Sequence, residues 1–139
     1  MLIPKKVKHR KWHKGRSKGR LVETRGTYLA YGSYGLQALQ PFWITSRQVE
    51  AGRRTITNFI KRGGKVWIRV FPDKPITVKP PGVTMGGGKG AVTHYVFPVR
   101  PGRIIFEMDG IPEDQAKRAL TLAGHKLPFT TKFVKKINA

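Results

Sequence analysis

The chain has 139 residues, 39% of them hydrophobic, and carries 28 Lys and Arg against 7 Asp and Glu, a formal charge of +21 at neutral pH. That length and apolar content suffice for one small core, the lack of cysteine excludes a disulfide scaffold and thiolate metal sites and suits a reducing compartment, and no apolar run approaches the roughly 18 residues of a membrane span. A charge of this sign and size selects polyanionic partners, nucleic acid before any other.

Met1 to Arg20 holds nine Lys or Arg (Lys5, Lys6, Lys8, Arg10, Lys11, Lys14, Arg16, Lys18 and Arg20) and no acid. Only Leu2, Ile3, Val7 and Trp12 are available to bury, too little to offset an ordering cost of roughly 1–2 kcal/mol per residue together with self-repulsion. Residues 1–26 are therefore expected to form a basic arm, disordered until it condenses on a polyanion, ahead of a single folded domain at 27–139. His9 and His13 share a spacing that could ligate a metal on a helix. The surrounding cations and the absence of a supporting acid or thiol favour phosphate contact or base stacking instead. A transit peptide is the competing reading of the arm, but Pro4, Gly15 and Gly19 break the amphipathic helix it requires and Lys outnumbers Arg. The arm also lacks the apolar stretch of a secretory signal, so the protein is expected to be soluble and to stay inside the cell.

Thr27 to Tyr31 reads as a short strand entering a turn at Gly32 and Gly35, with Leu36, Leu39, Phe42 and Trp43 as core material. A helix is predicted from about Ser46 to Arg62. Thr45 and Gln48 form a capping box, Ile44 and Val49 are placed for a hydrophobic staple, Val49, Ile56, Phe59 and Ile60 recur at helical spacing, and Gly63–Gly64 stops the run. Arg47, Arg54 and Lys61, seven residues apart, make a cationic stripe opposite Val49 and Ile56, with Glu50 within reach of Arg47 and Arg54. Lys65 to Phe71 is predicted to be a central strand ending at Pro72, and Ile76 to Lys79 a short extended segment. Val92 to Val99 and Arg103 to Met108 read as two antiparallel strands joined at Arg100–Pro101–Gly102. A second helix opens with Pro112 at its first position, has Glu113 and Asp114 in its first turn, and presents Ala116, Ala119, Leu120 and Ala123 to a sheet. Phe129 to Ile137 is a last strand or extended tail. This order of elements argues an α+β fold with a mixed, mostly antiparallel sheet.

Between the prolines at 72, 75, 80 and 81 and the following strand lies a Gly-rich run, Thr84, Met85, Gly86, Gly87, Gly88, Lys89 and Gly90. A Walker loop needs Gly and Ser or Thr where Val83 and Gly90 stand, and a dinucleotide fingerprint needs a helix where strand-type sequence follows. What survives is a protruding loop at 79–91, stiff at its base, cationic at its tip, and open enough for a phosphate or sugar edge to approach the bare backbone. No nucleophile, base and orienting group fall into a catalytic pattern: Glu107, Asp109, Glu113 and Asp114 are accounted for by ion pairing and capping, His94 and His125 by packing or hydrogen bonding. No catalytic residue, metal site or cofactor is expected.

Taken together, Lys5–Arg16, Tyr31–Leu39, Ile44–Arg54, Trp67–Pro75, Met85–Gly86 with Gly88–Gly90, Pro101–Ile104, Glu107–Gly110 and Ala123–Pro128 resemble, in order and spacing, the bacterial L-sixteen family of large-subunit ribosomal proteins over nearly the whole chain. The resemblance implies an α/β-hammerhead domain without catalytic activity. It implies binding to large-subunit (23S-type) rRNA near the peptidyl-transferase region, contact with A-site and P-site tRNA, and neighbouring ribosomal proteins, with no membrane. It also implies that the loop around Met85 reaches toward the peptidyl-transferase centre. Many family members carry Arg at the position of Thr84 and a basic residue at that of Gly87, so the tip here has two fewer phosphate contacts. The rRNA-binding candidates are Lys5, Lys6, Lys8, His9, Arg10, Lys11, Trp12, His13, Lys14, Arg16, Lys18, Arg47, Arg54 and Lys61. The tRNA-proximal candidates are Thr84 to Gly90. A cytoplasmic ribosome is expected, an organellar one being the alternative. The rival function is a free-standing RNA-binding module or RNA chaperone, which would bind short RNA tightly by itself.

Overall fold

The apolar residues of this chain sort onto two sheets and two helices. A computed structural model describes residues 1–15, 21–61 and 63–137. Within them the elements run β1 (Tyr34–Ala38), β2 (Phe42–Thr45), α1 (Ser46–Ile60), β3 (Lys65–Ile68), β4 (Lys74–Val78), β5 (Ala91–Val99), β6 (Ile104–Asp109), α2 (Glu113–Gly124) and β7 (Thr131–Lys135). One sheet has the order β3-β6-β1-β7 and the other β2-β5-β4, with all pairings antiparallel. The α+β expectation holds, with the strands divided between two sheets.

The start of α1 follows its sequence signals. Thr45 Oγ1 accepts from the Gln48 N–H at 3.3 Å while Gln48 Oε1 accepts from the Thr45 N–H at 2.9 Å, and Ile44 and Val49 are both buried in the core cluster. The helix ends sooner than Arg62, which itself lies outside the described residues. Lys61 takes φ 55° and the Gly63 N–H turns back to the Ile60 carbonyl, so the chain leaves the helix before the glycine pair. Val49, Gly52 and Ile56 face inward, and a Cβ at Gly52 would stand 2.8 Å from the Phe106 ring, so the glycine is what lets α1 lie this close to β6. In α2, Pro112 occupies the cap position rather than the first helical one, and Ala116, Ala119, Leu120 and Ala123 are fully buried. Their short side chains let α2 settle on β1, β6 and β7 beside α1.

Four other expectations are corrected. Thr27 to Tyr31 is not a strand: its backbone N–H groups are drawn to a side-chain carboxylate, described below, and the strand begins at Tyr34. The strand at Lys65 to Phe71 is shorter and lies at an edge, paired only with β6. Its apolar density reflects cover on both faces, Val66 and Ile68 against the core and Trp67 under Tyr31. The strands flanking Arg100–Gly102 do not pair with each other. Hydrogen bonds between Gly102 N–H and Ala38 carbonyl and between Ala38 N–H and Arg103 carbonyl, both 2.8 Å, fasten the turn to β1, so that β6 joins one sheet while β5 stays in the other. Finally, Leu36 is core, but Leu39 and Phe42 are exposed and Trp43 is half-buried. Phe42 leans on Phe129, and Trp43 receives the Lys74 ammonium 4.2 Å from its ring centroid.

Candidate nucleic-acid interface

The described part of the arm, residues 1–15, forms neither helix nor strand, and Lys5, Lys6, Lys8, His9, Arg10, Lys11, Trp12, His13 and Lys14 are all exposed. Arg16 and Lys18 lie outside the described residues. Leu2 packs against the core cluster. Farther along, the arm meets the base of the protruding loop: Lys11 Nζ donates to the Lys89 carbonyl at 2.9 Å, Lys89 Nζ donates to the Trp12 carbonyl, and Lys74 Nζ donates to the Lys14 carbonyl. Backbone oxygens hold the Lys11 and Lys89 ammonium groups without neutralising them, so positive charge gathers beside Trp12 and Trp43.

The loop joins β4 to β5, as the tip of a long antiparallel pair. Residues 81–89 are exposed throughout, Met85 to 94%, and a Cβ at Gly82, Gly86, Gly87 or Gly88 would meet nothing within 4 Å. Thr84 to Lys89 thus presents bare, mostly left-handed glycine backbone to solvent, and Gly90 begins the return to β5. Lys79 Nζ braces the loop by donating to the Gly86 carbonyl at 2.7 Å.

On α1, Arg47, Arg54 and Lys61 are exposed opposite the buried Val49 and Ile56, as the spacing requires. Glu50 serves Arg53 and Arg54 rather than Arg47. The Arg53 hydrogen bond, ahead of the opposing effect of desolvation and aided by Arg54, lowers the Glu50 pKa to about 2. The ion pairs among the described residues leave out Arg47 and Lys61. The four glutamates each pair with a cation of the protein: Glu23 with Arg103, Glu50 with Arg53 and Arg54, Glu107 with Arg69, Glu113 with Lys135. Most of the cationic excess is therefore left for an external polyanion.

One group absent from the sequence-based candidates organises the opposite face of the first sheet. Glu107 is fully buried, and its Oε1 accepts the N–H groups of Ala30, Tyr31 and Gly32 at 2.8–2.9 Å, while Oε2 takes the Arg69 guanidinium. Burial pushes this carboxyl up, but the Gly32 N–H, Arg69 and the Tyr31 N–H outweigh it and hold its pKa below the ordinary value. Gly32 is needed here, because a Cβ would stand 2.6 Å from the Met108 carbonyl oxygen. Nearby, Arg103 donates to the Arg25 and Arg69 carbonyls and lies over Phe97, and its desolvation lowers its pKa. The coil preceding β1 is thereby fastened across the sheet. Strand alternation marks Trp67 and Arg69 as neighbours on one face, but nothing local in the sequence joins them to residues 30–32.

A basic, two-sheet domain with an exposed glycine tip matches one protein family along almost its entire length. The family model described as Ribosomal protein L16p/L10e aligns with residues 4–134. The chain belongs to this family. Its members are ribosomal structural proteins rather than enzymes, which agrees with the lack of a catalytic pattern in the sequence. Among similar proteins are those named large ribosomal subunit protein uL16c from Stigeoclonium helveticum and Oedogonium cardiacum, each 56% identical over 135 residues. These alignments cover 97% of this chain and 98% and 97% of the respective relatives. The protein of the same name from Phaeodactylum tricornutum is 56% identical over 138 residues, 99% of both chains. The L16 resemblance read from the motifs is thus established, and with it the protein's place among ribosomal proteins. No helix among the described residues is long and apolar enough to cross a membrane.

Proposed function

We propose that this protein is a structural component of the large ribosomal subunit that binds large-subunit (23S-type) rRNA through its arm, residues 1–26, and the α1 stripe. Its loop at 79–91 contacts A-site tRNA, with P-site tRNA as a second contact, near the peptidyl-transferase region. Family membership supports the ribosomal role. The observation that carries the RNA reading is the cluster where the exposed arm meets the loop base, at Lys11, Trp12, Lys14, Lys74 and Lys89, on a chain whose charge is +21. An arm of this kind neutralises phosphates from several sides, and the packed domain fixes its exit point and the direction of the loop. The place of action is a ribosome, and relatives named uL16c keep the organellar alternative beside the cytoplasmic one.

Filter binding of the full chain to transcribed large-subunit and small-subunit rRNA, over a range of salt, tests the proposal. Tighter binding to the large-subunit transcript with a steep salt dependence is expected. Equal affinity for both transcripts and for short RNA fragments would favour the free-standing module instead.

A further inference from the structure

The face of the β3-β6-β1-β7 sheet turned away from the helices carries an arrangement that arm, stripe and loop leave unused. Trp67 on β3 stands opposite Glu107 on β6, and Arg69, two residues on, continues the same face with its N–H bonded to the Ile105 carbonyl. Glu107 holds both the Tyr31 N–H, at 2.8 Å, and the Arg69 guanidinium. One buried carboxylate therefore fixes the backbone of Tyr31 and the head of Arg69 together. The outcome is a stack: the Tyr31 and Trp67 rings are 6.1 Å apart with planes 21° off parallel, and the Arg69 guanidinium carbon is 5.1 Å from the Tyr31 centroid.

Tyr31 stays 62% exposed, whereas Trp67 is half-buried and the Arg69 side chain is 17% exposed. The open surface of the stack is thus chiefly the tyrosine ring. Neither Tyr31 nor Trp67 belongs to the core cluster, so the domain does not need this ring for its packing. Lys65 is exposed at the start of β3, across from Asp109 on β6, while Arg103, paired with Glu23, braces the stack from below by donating to the Arg69 carbonyl. The nearby acids are occupied, Glu107 by Arg69 and three N–H groups, Asp109 by the Ser33 hydroxyl at 3.2 Å and the Gly110 N–H at 2.8 Å.

We propose that Tyr31, seated on Trp67 and Arg69, is a stacking platform for one unpaired base of the RNA that the protein binds. The inference rests on the rRNA reading above and adds a contact of a different kind. A flat, exposed π surface with the exposed Lys65 ammonium near it matches a nucleobase with its flanking phosphate. Because Glu107 orders the platform beforehand, little conformational freedom is lost on binding. Stacking of this kind tolerates any base, so the platform adds affinity and register more than sequence choice.

The test uses the full chain and transcribed large-subunit rRNA, with affinity measured across a salt series. Tyr31→Leu should weaken binding by about ten-fold with the slope of log affinity against log salt unchanged, because the substitution removes a stacking surface and leaves every phosphate-binding cation in place. Tyr31→Phe should stay within about two-fold of the parent. Removal of residues 1–19 should instead flatten the slope. Cross-linking of the parent protein to the rRNA by ultraviolet light, with peptide mapping, reads the same interaction without any substitution and should mark the Tyr31 or Trp67 peptide. Parent-like affinity in Tyr31→Leu while the arm deletion weakens binding, or cross-links confined to the arm, would overturn the platform and leave the rRNA reading standing. Loss of subunit incorporation by Tyr31→Leu with rRNA affinity intact would make the ring a protein contact and overturn it as well. Failure of the parent chain to bind the transcript would remove the rRNA reading itself, and the platform with it.

Discussion

Glu107→Gln is the substitution whose cost follows most directly from the structure. The neutral amide can keep its oxygen toward the three N–H groups of Ala30, Tyr31 and Gly32, so most of those hydrogen bonds' worth is kept and the main loss falls on the ion pair. Its NH2 then faces the Arg69 guanidinium, donor against donor, and Arg69 is left as a largely buried cation without its carboxylate. Breaking a buried pair by removing one partner costs about 3–5 kcal/mol, a large share of a total stability of about 5–15 kcal/mol. The pH dependence adds a signature that packing defects lack. The folded-state pKa of Glu107 is depressed from its ordinary value of 4.5, so its contribution is present in full above that value and is lost as pH falls through the folded pKa. Urea unfolding of both proteins at pH 7 and at several pH values below 4.5 measures this. The two stability curves should lie about 3–5 kcal/mol apart at pH 7 and converge as the medium becomes acidic. Ile56→Ala, at a fully buried position, should cost about 2–5 kcal/mol with no such convergence. A Glu107→Gln loss under about 1 kcal/mol, or a gap constant with pH, would refute the reasoning.

Replacing Arg47, Arg54 and Lys61 with Gln should lower rRNA affinity and reduce the salt slope by about one unit for each phosphate no longer neutralised, and an unchanged slope in filter binding would mean the stripe is only solvated. Removing residues 1–19 should leave a cooperative unfolding transition in place, less about 1 kcal/mol for the packing of Leu2 on the core, while rRNA association falls markedly. Excising Thr84 to Lys89 should lower A-site tRNA binding by purified ribosomes more than it lowers subunit yield, because this exposed tip packs against nothing at its glycines. Lost subunits with normal tRNA binding would make the loop an assembly element.

Legibility in the sequence tracks how local each cause is. The capping box at Thr45 and Gln48, the inward Val49 and Ile56, the alanine face of α2 and the exposed tip at Met85 all depend on residues a few positions apart, and each is readable. The partition into two sheets is not, because the turn at Arg100–Gly102 is steered by Ala38, more than sixty residues earlier. Residue type marks Glu107 for ion pairing, but its three backbone partners sit 75–77 residues away in coil. That long-range capture replaces the strand expected at Thr27 to Tyr31. No local pattern joins Arg69, Tyr31 and Trp67 into a group, for the same reason. The hydrogen bonds of Lys89 and Lys74 to arm carbonyls belong to this class too, since charge runs predict an interface without predicting which segments meet.

The central claim is that this chain works as part of the large ribosomal subunit. Sedimentation of a tagged, full-length copy through a sucrose gradient, in cells that assemble ribosomes with it, tests that claim most directly. The account predicts co-migration with the large subunit and the complete ribosome, with the tagged chain retained through a wash at moderate salt. Recovery at the top of the gradient, bound to short RNA or to none, would contradict it.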